Sequence, residues 1–352
     1  MGRRPVPDRP RPFRSPHTAA WALLAVTLWV SGAVAVDFAG FLRRPLALPA
    51  GGAVLELAPG TSLARLARDL AARGWLDRPR YLALLGRLRG DTRRLQAGEY
   101  EVPAGTTAGE LLDLLVSGRV RLYRFTIVEG WTFAELRQAL KAAPALERRT
   151  ADWSGDRIMA VLGRPEEHPE GRFLPETYAY ARGSTDLDLL ARALQAMDRV
   201  LAAEWADRAP DLPLQDPYEA LVLASIIEKE TARPEERARI AAVFVNRLRR
   251  GMRLQTDPTV IYGLGARFDG NLRRRDLRRD TPWNTYTRAG LPPTPIALPG
   301  RASIHAALHP ATDPALYFVA RGDGSHEFSE RLEEHERAVR RYQLGRRSGA
   351  AP

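Results

Sequence analysis

An uncharged apolar run near the N-terminus constrains this chain more than any other feature of its sequence. Residues 19–36 read AAWALLAVTLWVSGAVAV and contain no charged side chain. As a helix, this run would span roughly 27 Å, which is close to the thickness of a bilayer core. Because the run is long for the apolar part of a cleaved signal peptide, we expect a retained transmembrane helix at 18–42. The Arg- and Pro-rich residues at 1–17 predict a disordered tail.

The charges on either side of this run predict its orientation. Five arginines precede it, whereas only Arg43 and Arg44 follow closely. Positively charged flanks stay on the cytoplasmic side of a membrane. We therefore expect a cytoplasmic N-terminus, with the bulk of the chain on the other side.

Composition excludes several classes of function. The 352-residue chain has a formal net charge of +11, and Lys141 and Lys229 are its only lysines. No stretch interleaves aromatic and basic residues in the manner of a nucleic-acid surface, so no nucleic-acid partner is expected. The lack of cysteine excludes disulfides, thiolate catalysis and cysteine-based metal sites. Neither a Walker loop nor a dinucleotide-type glycine pattern occurs, so no nucleotide cofactor is expected.

A short pattern occurs three times between residues 54 and 143. Gly60, Gly105 and Gly130 are each followed two residues later by a hydroxyl side chain, and then by leucines at helical spacing. This pattern is typical of a strand, a glycine turn, a capped start and an amphipathic helix. We therefore expect a small α+β region at 54–143, joined to the anchor by a linker at 43–53. The predicted strands are Val54–Leu57, Glu99–Val102 and Leu122–Val128.

Two glutamates at the end of an apolar helix are the main candidates for chemistry. Residues 219–227 are almost wholly apolar and lead directly into Glu228 and Glu230. Two helical steps rotate a side chain by about 200°, so the two carboxylates cannot face the same cleft. Glu230 lies on the more apolar stripe, where burial raises the pKa of a carboxyl group and keeps a proton available for donation. The alternative role for either glutamate is an ion pair with Lys229 or Arg233.

The remainder of the chain, at 144–345, predicts a mainly helical α+β domain. A second helix begins near Pro234 and ends at Gly251, and a third is capped by Asp257. Near the C-terminus, a Gly-Asp-Gly turn between two apolar runs predicts a β-hairpin. A last amphipathic helix follows it, and residues 346–352 predict a disordered tail.

Four long motifs in a fixed order carry a family resemblance. They read ASIIEKETA, VFVNRLRRGMRLQTDPTVIYG, NTYTRAGLPPTPIALPG and ALYFVARGDGSHEFS. From its anchor to its last helix, the chain resembles the endolytic murein transglycosylases, the YceG-like proteins. The resemblance implies cleavage of peptidoglycan glycan strands, with the second glutamate of the EKET motif, Glu230, as the catalytic residue. It implies neither a cofactor nor a metal.

The resemblance also implies a location and partners. A single-pass anchor in the cell inner membrane would hold the catalytic domain on the periplasmic side, against the glycan strands. The region at 54–143 would contain a LysM-like segment that binds glycan, although it could equally serve only to present the catalytic domain. The resemblance further implies that the protein acts together with peptidoglycan synthases and terminates growing glycan strands.

Polar side chains near the EKET motif are candidates for holding the sugars, because hydroxyl and amide groups suit sugar hydroxyls and N-acetyl groups. The proline-rich loop at 284–300 should form one wall of the groove. Asp257 has a second possible role as a helix cap, and Tyr178 a second one in packing. The predicted substrate-binding residues are Glu228, Asn246, Gln255, Thr256, Asp257, Tyr262, Asn284, Thr285, Tyr286, Glu176 and Tyr178.

Two alternatives to a lytic enzyme stay open. The first is a catalytically silent, membrane-tethered scaffold that binds the cell wall. The second is a hydrolytic muramidase with a second carboxylate, such as Asp257 or Glu176. His305, His309 and His326 do not form the helical pair of a zincin, so no metal site is expected.

Overall fold

A division between Arg121 and Leu122 separates the chain into two units. Among the described residues, the first unit has one apolar cluster and the second has two. The computed structural model describes residues 16–344. The fold is α+β, and the described strands form three separate two-stranded antiparallel sheets. The predicted tails lie outside the described residues, apart from a helix start at Pro16.

The first helix, α1 (Pro16–Arg43), contains the predicted membrane segment. Its stretch Ala20–Arg43 is long and apolar enough to cross a bilayer, and the most apolar part of this stretch is not buried within the protein. Large side chains such as Trp21 and Trp29 are about three-quarters exposed, at 70% and 76%. A helix that leaves such side chains uncovered fits a single-pass membrane anchor.

The last turns of α1 belong to the core of the first unit. Phe41 is only 4% exposed. The Asp37 carboxylate accepts a hydrogen bond from the Tyr81 hydroxyl at 2.9 Å and forms an ion pair with Arg78. The helix therefore passes directly from its apolar segment into folded protein.

The segment predicted as a linker, at 43–53, is also packed against the first unit. Leu46 is buried, and its N–H group donates to the carbonyl of Thr106 at 2.8 Å. Pro45 forms an isolated antiparallel bridge with Thr107. The prolines and glycines that suggested an open connection instead shape a fixed one.

The first unit is built on a strand–helix–helix–strand arrangement followed by one more helix. The two strands pair antiparallel, with Leu55 opposite Tyr100. Both side chains are buried together with Leu66, Leu82 and Leu111, so the sheet and the helices share one core. The elements are β1 (Ala53–Leu57), α2 (Leu63–Ala72), α3 (Pro79–Leu88), β2 (Gly98–Val102) and α4 (Ala108–Ser117).

The second unit is mainly helical and carries two short two-stranded sheets, of which only the second is a hairpin. Its sheets are β3–β4 and β5–β6, and both are antiparallel. The elements are β3 (Leu122–Thr126), α5 (Phe133–Ala142), α6 (Gly155–Val161), β4 (Thr177–Ala181), α7 (Asp186–Ala206), α8 (Pro217–Glu230), α9 (Arg237–Arg249), α10 (Asp257–Leu264), α11 (Arg274–Arg278), α12 (Arg301–Leu308), β5 (Tyr317–Ala320), β6 (His326–Ser329) and α13 (Leu332–Val339).

The structure places the division between the units about twenty residues earlier than the sequence analysis did. The strand β3 pairs with β4, so that Phe125 lies opposite Tyr178. Phe133 and Leu136 of α5 join the same apolar cluster as Leu189 of α7. The segment 122–143 therefore belongs to the second unit, because its strand finds its partner further along the chain.

The recurring glycine and hydroxyl pattern forms the helix starts that it predicts. The Ser62 hydroxyl accepts from a backbone N–H group in the first turn of α2. Thr107 and Thr132 form reciprocal capping boxes with Glu110 and Glu135, at the starts of α4 and α5. The glycine two residues before each cap has a φ between 75° and 85°, which favours glycine. This part of the sequence-based prediction is confirmed.

The helix α8 lies at the centre of the second unit. Its residues from Ala220 to Ile227 are all buried, and it packs against α7, α9 and α12. Asp216 caps its start by accepting from the N–H group of Glu219 at 2.8 Å. A helix surrounded in this way holds its last residue, Glu230, in a fixed place.

Candidate active site

The end of α8 opens into a cleft with a volume of about 450 Å³. Glu230 lines it together with Gln255, Thr256 and Asp257. Further lining residues come from the hairpin β5–β6 and from α13. Of the proline-rich loop at 284–300, Tyr286 lines the cleft.

The environment of Glu230 favours a proton on its carboxyl group. Burial raises the pKa of Glu230 to about 7. A hydrogen bond from the Thr256 hydroxyl to Oε1 acts in the opposite direction, and the negative charge of Asp257 raises the pKa further. The positive charges of His326 and Arg247 lower it. A carboxyl group with a pKa near 7 can both donate and accept a proton at neutral pH.

Thr256, the hydrogen-bond donor to Glu230, is held in place by two other buried threonines, Thr259 and Thr285. The Thr259 hydroxyl donates to the carbonyl of Thr256 at 2.7 Å, so the Thr285 hydroxyl is the donor in their 2.9 Å contact. The Thr285 oxygen in turn accepts from the N–H group of Thr256 at 3.1 Å. The predicted residue Thr285 therefore lies behind the cleft and orients Thr256.

Gln255 has a backbone conformation that few residues of its type adopt. Its φ is 51°, in the left-handed region. Its N–H group donates to the carbonyl of Thr285 at 3.2 Å, and its exposed side chain lines the cleft. Strain of this kind next to a perturbed carboxyl group is typical of a functional site.

Asp257 and Tyr286 form a hydrogen-bonded pair in the wall of the cleft. The Tyr286 hydroxyl donates to Asp257 Oδ1 at 2.6 Å. Burial, together with this carboxylate, raises the pKa of Tyr286 above its usual value, so the hydroxyl stays protonated. The N-cap position of α10 is occupied by Thr256, and Asp257 is the first helical residue, with its carboxylate bound to Tyr286. The alternative role of Asp257 as a cap is therefore not the one it has in the structure.

The sequence analysis missed Arg247, which lies in the same cleft. Its guanidinium is buried and donates to the carbonyls of Leu316 at 2.7 Å and Leu254 at 2.6 Å. The guanidinium carbon also lies 5.2 Å from the centre of the Tyr317 ring. Arg247 thus joins α9, the loop before α10 and β5 around Glu230. It is hidden in a run of basic residues, and one of its partners, Leu316, is 69 residues away in the sequence.

His326 was considered only as a metal ligand, yet it lines the same cleft as Glu230 and Asp257. Its Nδ1 atom lies 2.7 Å from Glu236 Oε2, and its backbone N–H group donates to Oε1 at 2.9 Å. Burial acts to raise the pKa of Glu236, but these hydrogen bonds outweigh it and the pKa is lowered. The pair attaches the start of β6 to the turn before α9.

Glu228 points away from the cleft, as the helix geometry requires. Its carboxylate accepts from the N–H group of Gly300 at 2.9 Å and lies 4.0 Å from Arg237. The predicted role of Glu228 in substrate binding is thus replaced by a structural one, with Arg237 as its ionic partner rather than Lys229 or Arg233.

Two predicted amide residues also have structural roles. The Asn246 amide donates to the carbonyls of Asp313 at 2.8 Å and Ala315 at 3.1 Å. The side chain of Asn284 is fully buried; its amide donates to carbonyls at the end of α11, and its oxygen accepts from the N–H group of Tyr286 at 2.8 Å. Both residues hold loops in place through these hydrogen bonds, and neither lines the cleft.

The remaining predicted residues lie elsewhere in the second unit. The Tyr262 hydroxyl donates to the buried Glu170 at 3.1 Å, and burial raises the pKa of Glu170 to about 7. Tyr178 is a core residue whose hydroxyl donates to the carbonyl of Leu174 at 2.8 Å. Glu176 is exposed just before β4 and does not line the cleft.

One group of side chains has the composition of a metal site. Glu204, His305 and His309 offer ligand atoms within 4.8 Å of one another. These atoms already have partners: His305 Nδ1 lies 2.8 Å from Glu204 Oε2, and His309 Nε2 lies 2.8 Å from the carbonyl of Asp207. The group is not part of the Glu230 cleft.

Comparisons with known proteins agree on one family. The model of the YceG-like family matches residues 55–341. An endolytic murein transglycosylase of Bacillus subtilis (strain 168) is 30% identical over 264 residues, which are 70% of this chain and 73% of that protein. One from Streptococcus pneumoniae (strain D39) is 32% identical over 279 residues, 70% of this chain and half of that protein. The crystal structure of a YceG-like protein of Listeria monocytogenes has a TM-score of 0.52 and 28% identity, and the match covers 81% of this chain and 98% of that one.

Proposed function

This chain belongs to the YceG-like family, and from that premise we propose that it is an endolytic murein transglycosylase acting on the glycan strands of peptidoglycan. Two relatives with that name match 70% of the chain. The observation that carries the proposal is Glu230, a carboxyl group of raised pKa that lines a cleft and is the last residue of a buried helix.

In the proposed reaction, Glu230 acts first as an acid and then as a base. Its proton passes to the oxygen that links C1 of N-acetylmuramic acid to N-acetylglucosamine, and the bond from C1 to that oxygen breaks. The C6 hydroxyl of the same muramic ring attacks C1, and its proton passes to the Glu230 carboxylate. The products are a free N-acetylglucosamine hydroxyl and a 1,6-anhydro end, and Glu230 regains its proton without water entering.

A single carboxyl group suffices because the nucleophile belongs to the substrate. An intramolecular hydroxyl has a very high effective concentration, so no residue is needed to activate water. The neighbouring residues support this chemistry through charge and orientation. Thr256 holds the Glu230 carboxyl group in place, and the negative charge of Asp257 on the same wall favours the positive charge that develops at C1.

For the location of the protein, we propose a single-pass anchor in the cytoplasmic membrane with the N-terminus inside the cell. The apolar stretch Ala20–Arg43 and the arginines before it support this orientation. The catalytic unit would then act on the outer side of that membrane. Cooperation with peptidoglycan synthases stays a prediction.

For the first unit, we propose the LysM-like, glycan-binding role that the family resemblance implies. A cavity of about 670 Å³ supports it, since Trp75 and Asp77 line that cavity and a partly exposed indole can stack on a sugar. Two other aromatic residues of this unit are not available for stacking: Tyr100 is fully buried, and the Tyr81 hydroxyl donates to Asp37. If the proposal holds, Trp75→Ala in the full chain should weaken retention on insoluble sacculi.

The proposed reaction is tested with Glu230→Gln, which keeps the shape of the side chain and removes the acid. The variant and the wild type are incubated with sacculi, and the new ends are identified by mass spectrometry. We expect 1,6-anhydro ends with the wild type and a decrease of at least about a thousandfold with the variant. Glu228→Gln is the matched control, because it removes a carboxylate outside the cleft.

The same products separate the two alternatives. Reducing ends would indicate a hydrolytic muramidase, for which Asp257 is the second carboxylate that the cleft offers. No new ends from the wild type would indicate a non-catalytic scaffold. Anhydro ends that persist with Glu230→Gln would overturn the assignment of this residue.

A further inference from the structure

A second cavity in the catalytic unit is lined by four arginines among its nine residues. It has a volume of about 400 Å³ and lies between the end of α10 and α11. Two aspartates, Asp269 and Asp276, only partly balance its positive charge. Its arginines are Arg267, Arg273, Arg275 and Arg279.

Two of these arginines have no acidic partner among the described residues. Arg273 forms an ion pair with Asp269 at 2.7 Å, and Arg275 lies 3.8 Å from Asp276. The exposed guanidinium of Arg267, by contrast, donates only to backbone carbonyls at the end of α10, at 3.3 and 3.5 Å. Within the described part of the chain, no carboxylate comes within ion-pair distance of Arg267 or Arg279. The cavity therefore has unused positive charge, which an anionic ligand could neutralise.

The helix α10 connects this cavity to the Glu230 cleft. Its first residue, Asp257, lines the cleft, and its last, Leu264, lines the arginine cavity. An eight-residue helix is roughly 12 Å long, so the two sites are separated by about that distance. A second connection is Asn284, which joins the carbonyls at the end of α11 to the backbone of Tyr286 in the cleft.

We propose that the arginine cavity binds the carboxylate groups of peptidoglycan stem peptides while the glycan strand occupies the Glu230 cleft. This inference rests on the proposed function. A stem peptide extends from the lactyl group of N-acetylmuramic acid, the sugar at the bond to be broken, and it carries free carboxylates. The guanidinium forks of Arg267 and Arg279 suit bidentate binding of a carboxylate.

The shape of the site favours a peptide over a lipid surface. The arginines surround a cavity, which a flexible peptide can enter, whereas a planar array of headgroups contacts protruding side chains. Proximity to the cleft also favours a peptide, since the stem peptide of the bound sugar is tethered within a short distance of the cavity. Tethering raises its effective concentration there, so weak contacts are sufficient to select peptide-bearing strands.

The test compares two double variants of the full chain in neutral detergent micelles. Arg267→Ala with Arg279→Ala removes the unpaired charges of the cavity. Arg274→Ala with Arg278→Ala is the matched control, because it removes the same charge from exposed arginines of α11 that do not line the cavity. Each protein is given glycan strands that carry stem peptides and strands from which an amidase has removed them.

We expect the cavity variant to raise KM about tenfold on peptide-bearing strands, with kcat unchanged, as for the loss of one charge-assisted contact. On stripped strands, the wild type and both variants should behave alike. An equal loss on both kinds of strand, no loss, or the same loss with the control variant would overturn the inference.

Binding measured without catalysis separates this inference from the proposed reaction. Titration calorimetry of a free stem pentapeptide against the Glu230→Gln protein should show binding that the cavity variant weakens about tenfold. This result would stand even if the wild type formed no anhydro ends. Unchanged peptide binding would overturn the inference, as would a loss seen only with mixed micelles that contain an anionic phospholipid.

Discussion

At the scale of single residues, the proposed chemistry depends on opposed influences on one carboxyl group. Burial and the charge of Asp257 favour the protonated form of Glu230, whereas the Thr256 hydroxyl and the charges of Arg247 and His326 favour the ionised form. The result is a pKa of about 7, which suits a group that must first release a proton and then recover it.

Local helix geometry was enough to distinguish Glu230 from Glu228, because two residues along one helix have a fixed angle between them. It could not reveal Arg247 or His326. Arg247 donates to a carbonyl 69 residues away, and His326 contacts Glu236 across 90 residues. Such partners are brought together only by the packing of the whole unit. The same limit explains why Asn246 and Asn284, polar and near the motif, prove to be loop supports.

The first prediction concerns the pH dependence of cleavage. Because the free enzyme must carry the proton on Glu230, kcat/KM should be constant below pH 7 and fall about tenfold per pH unit above it. Asp257→Asn removes a nearby negative charge, so the fall should begin at lower pH in that variant. Rates of anhydro-end formation between pH 5 and pH 9 check both results. A bell-shaped profile with a second pKa from Asp257 would instead support the hydrolytic alternative.

The second prediction concerns stability. The folded pKa of Glu230 is raised from 4.5 to about 7, so the folded state binds more protons than the unfolded state in that interval. Stability due to this group is therefore lost as pH rises from 4.5 to 7. Glu230→Gln cannot ionise and should be more stable than the wild type at pH 8, by about 1–3 kcal/mol.

Thermal unfolding at pH 4.5 and pH 8 checks this second prediction. The advantage of the variant should disappear at the lower pH, where the wild-type carboxyl group is neutral. Glu170, whose pKa is also about 7, is present in both proteins and so does not affect the difference. A variant that is less stable than the wild type at pH 8 would contradict a buried, costly charge at this position.

At the scale of elements, local signals were sufficient wherever an element is defined by its own residues. The helix starts at Thr107 and Thr132, the long helix α7 and the hairpin β5–β6 all follow from caps, periodicity and turn residues. The strand β3 was identified but assigned to the wrong unit, because its partner β4 begins more than fifty residues later. Strand pairing over such a distance leaves no local mark in the sequence.

The third prediction is made at this scale and concerns the tight turn at Gly171. Its φ is 80°, and an added Cβ would lie 2.5 Å from the ring of Pro295. The next residue, Ile296, donates to the Ser225 hydroxyl of α8 at 3.0 Å, so a shift of Pro295 would reach the central helix. Gly171→Ala should lower the free energy of unfolding by about 3 kcal/mol, from backbone strain plus the clash.

Gly163→Ala is the control for this third prediction. Gly163 has a similar φ of 82°, but an added Cβ there meets nothing within 4 Å. Strain alone should cost about 1 kcal/mol. Chemical denaturation of both variants separates the two contributions, and equal losses would show that the contact with Pro295 has no effect.

At the scale of the whole molecule, the sequence predicted an apolar N-terminal helix and an α+β fold, and the structure has both. What it could not predict is where one part ends and the next begins. Pro45 and the glycines near it suggested an open linker, yet Leu46 is buried in the first unit. Composition describes a segment in isolation, whereas its role depends on whether a nearby surface has room for its apolar side chains.

The last prediction concerns α1, whose apolar side chains are exposed in its first part and buried in the first unit at its end. Removal of residues 1–36 should give a protein that is soluble without detergent, because it takes away the uncovered apolar side chains and leaves Asp37 and Phe41. Removal of residues 1–43 also takes away the buried Phe41 and the Asp37 contact with Tyr81. The longer truncation should therefore destabilise the first unit by about 3–5 kcal/mol relative to the shorter one.

Thermal unfolding followed by circular dichroism compares the two proteins, with the melting of the second unit as an internal control. If both truncations melted alike, the end of α1 would be only a tether, and the direct passage from the membrane segment into the core would have no energetic consequence.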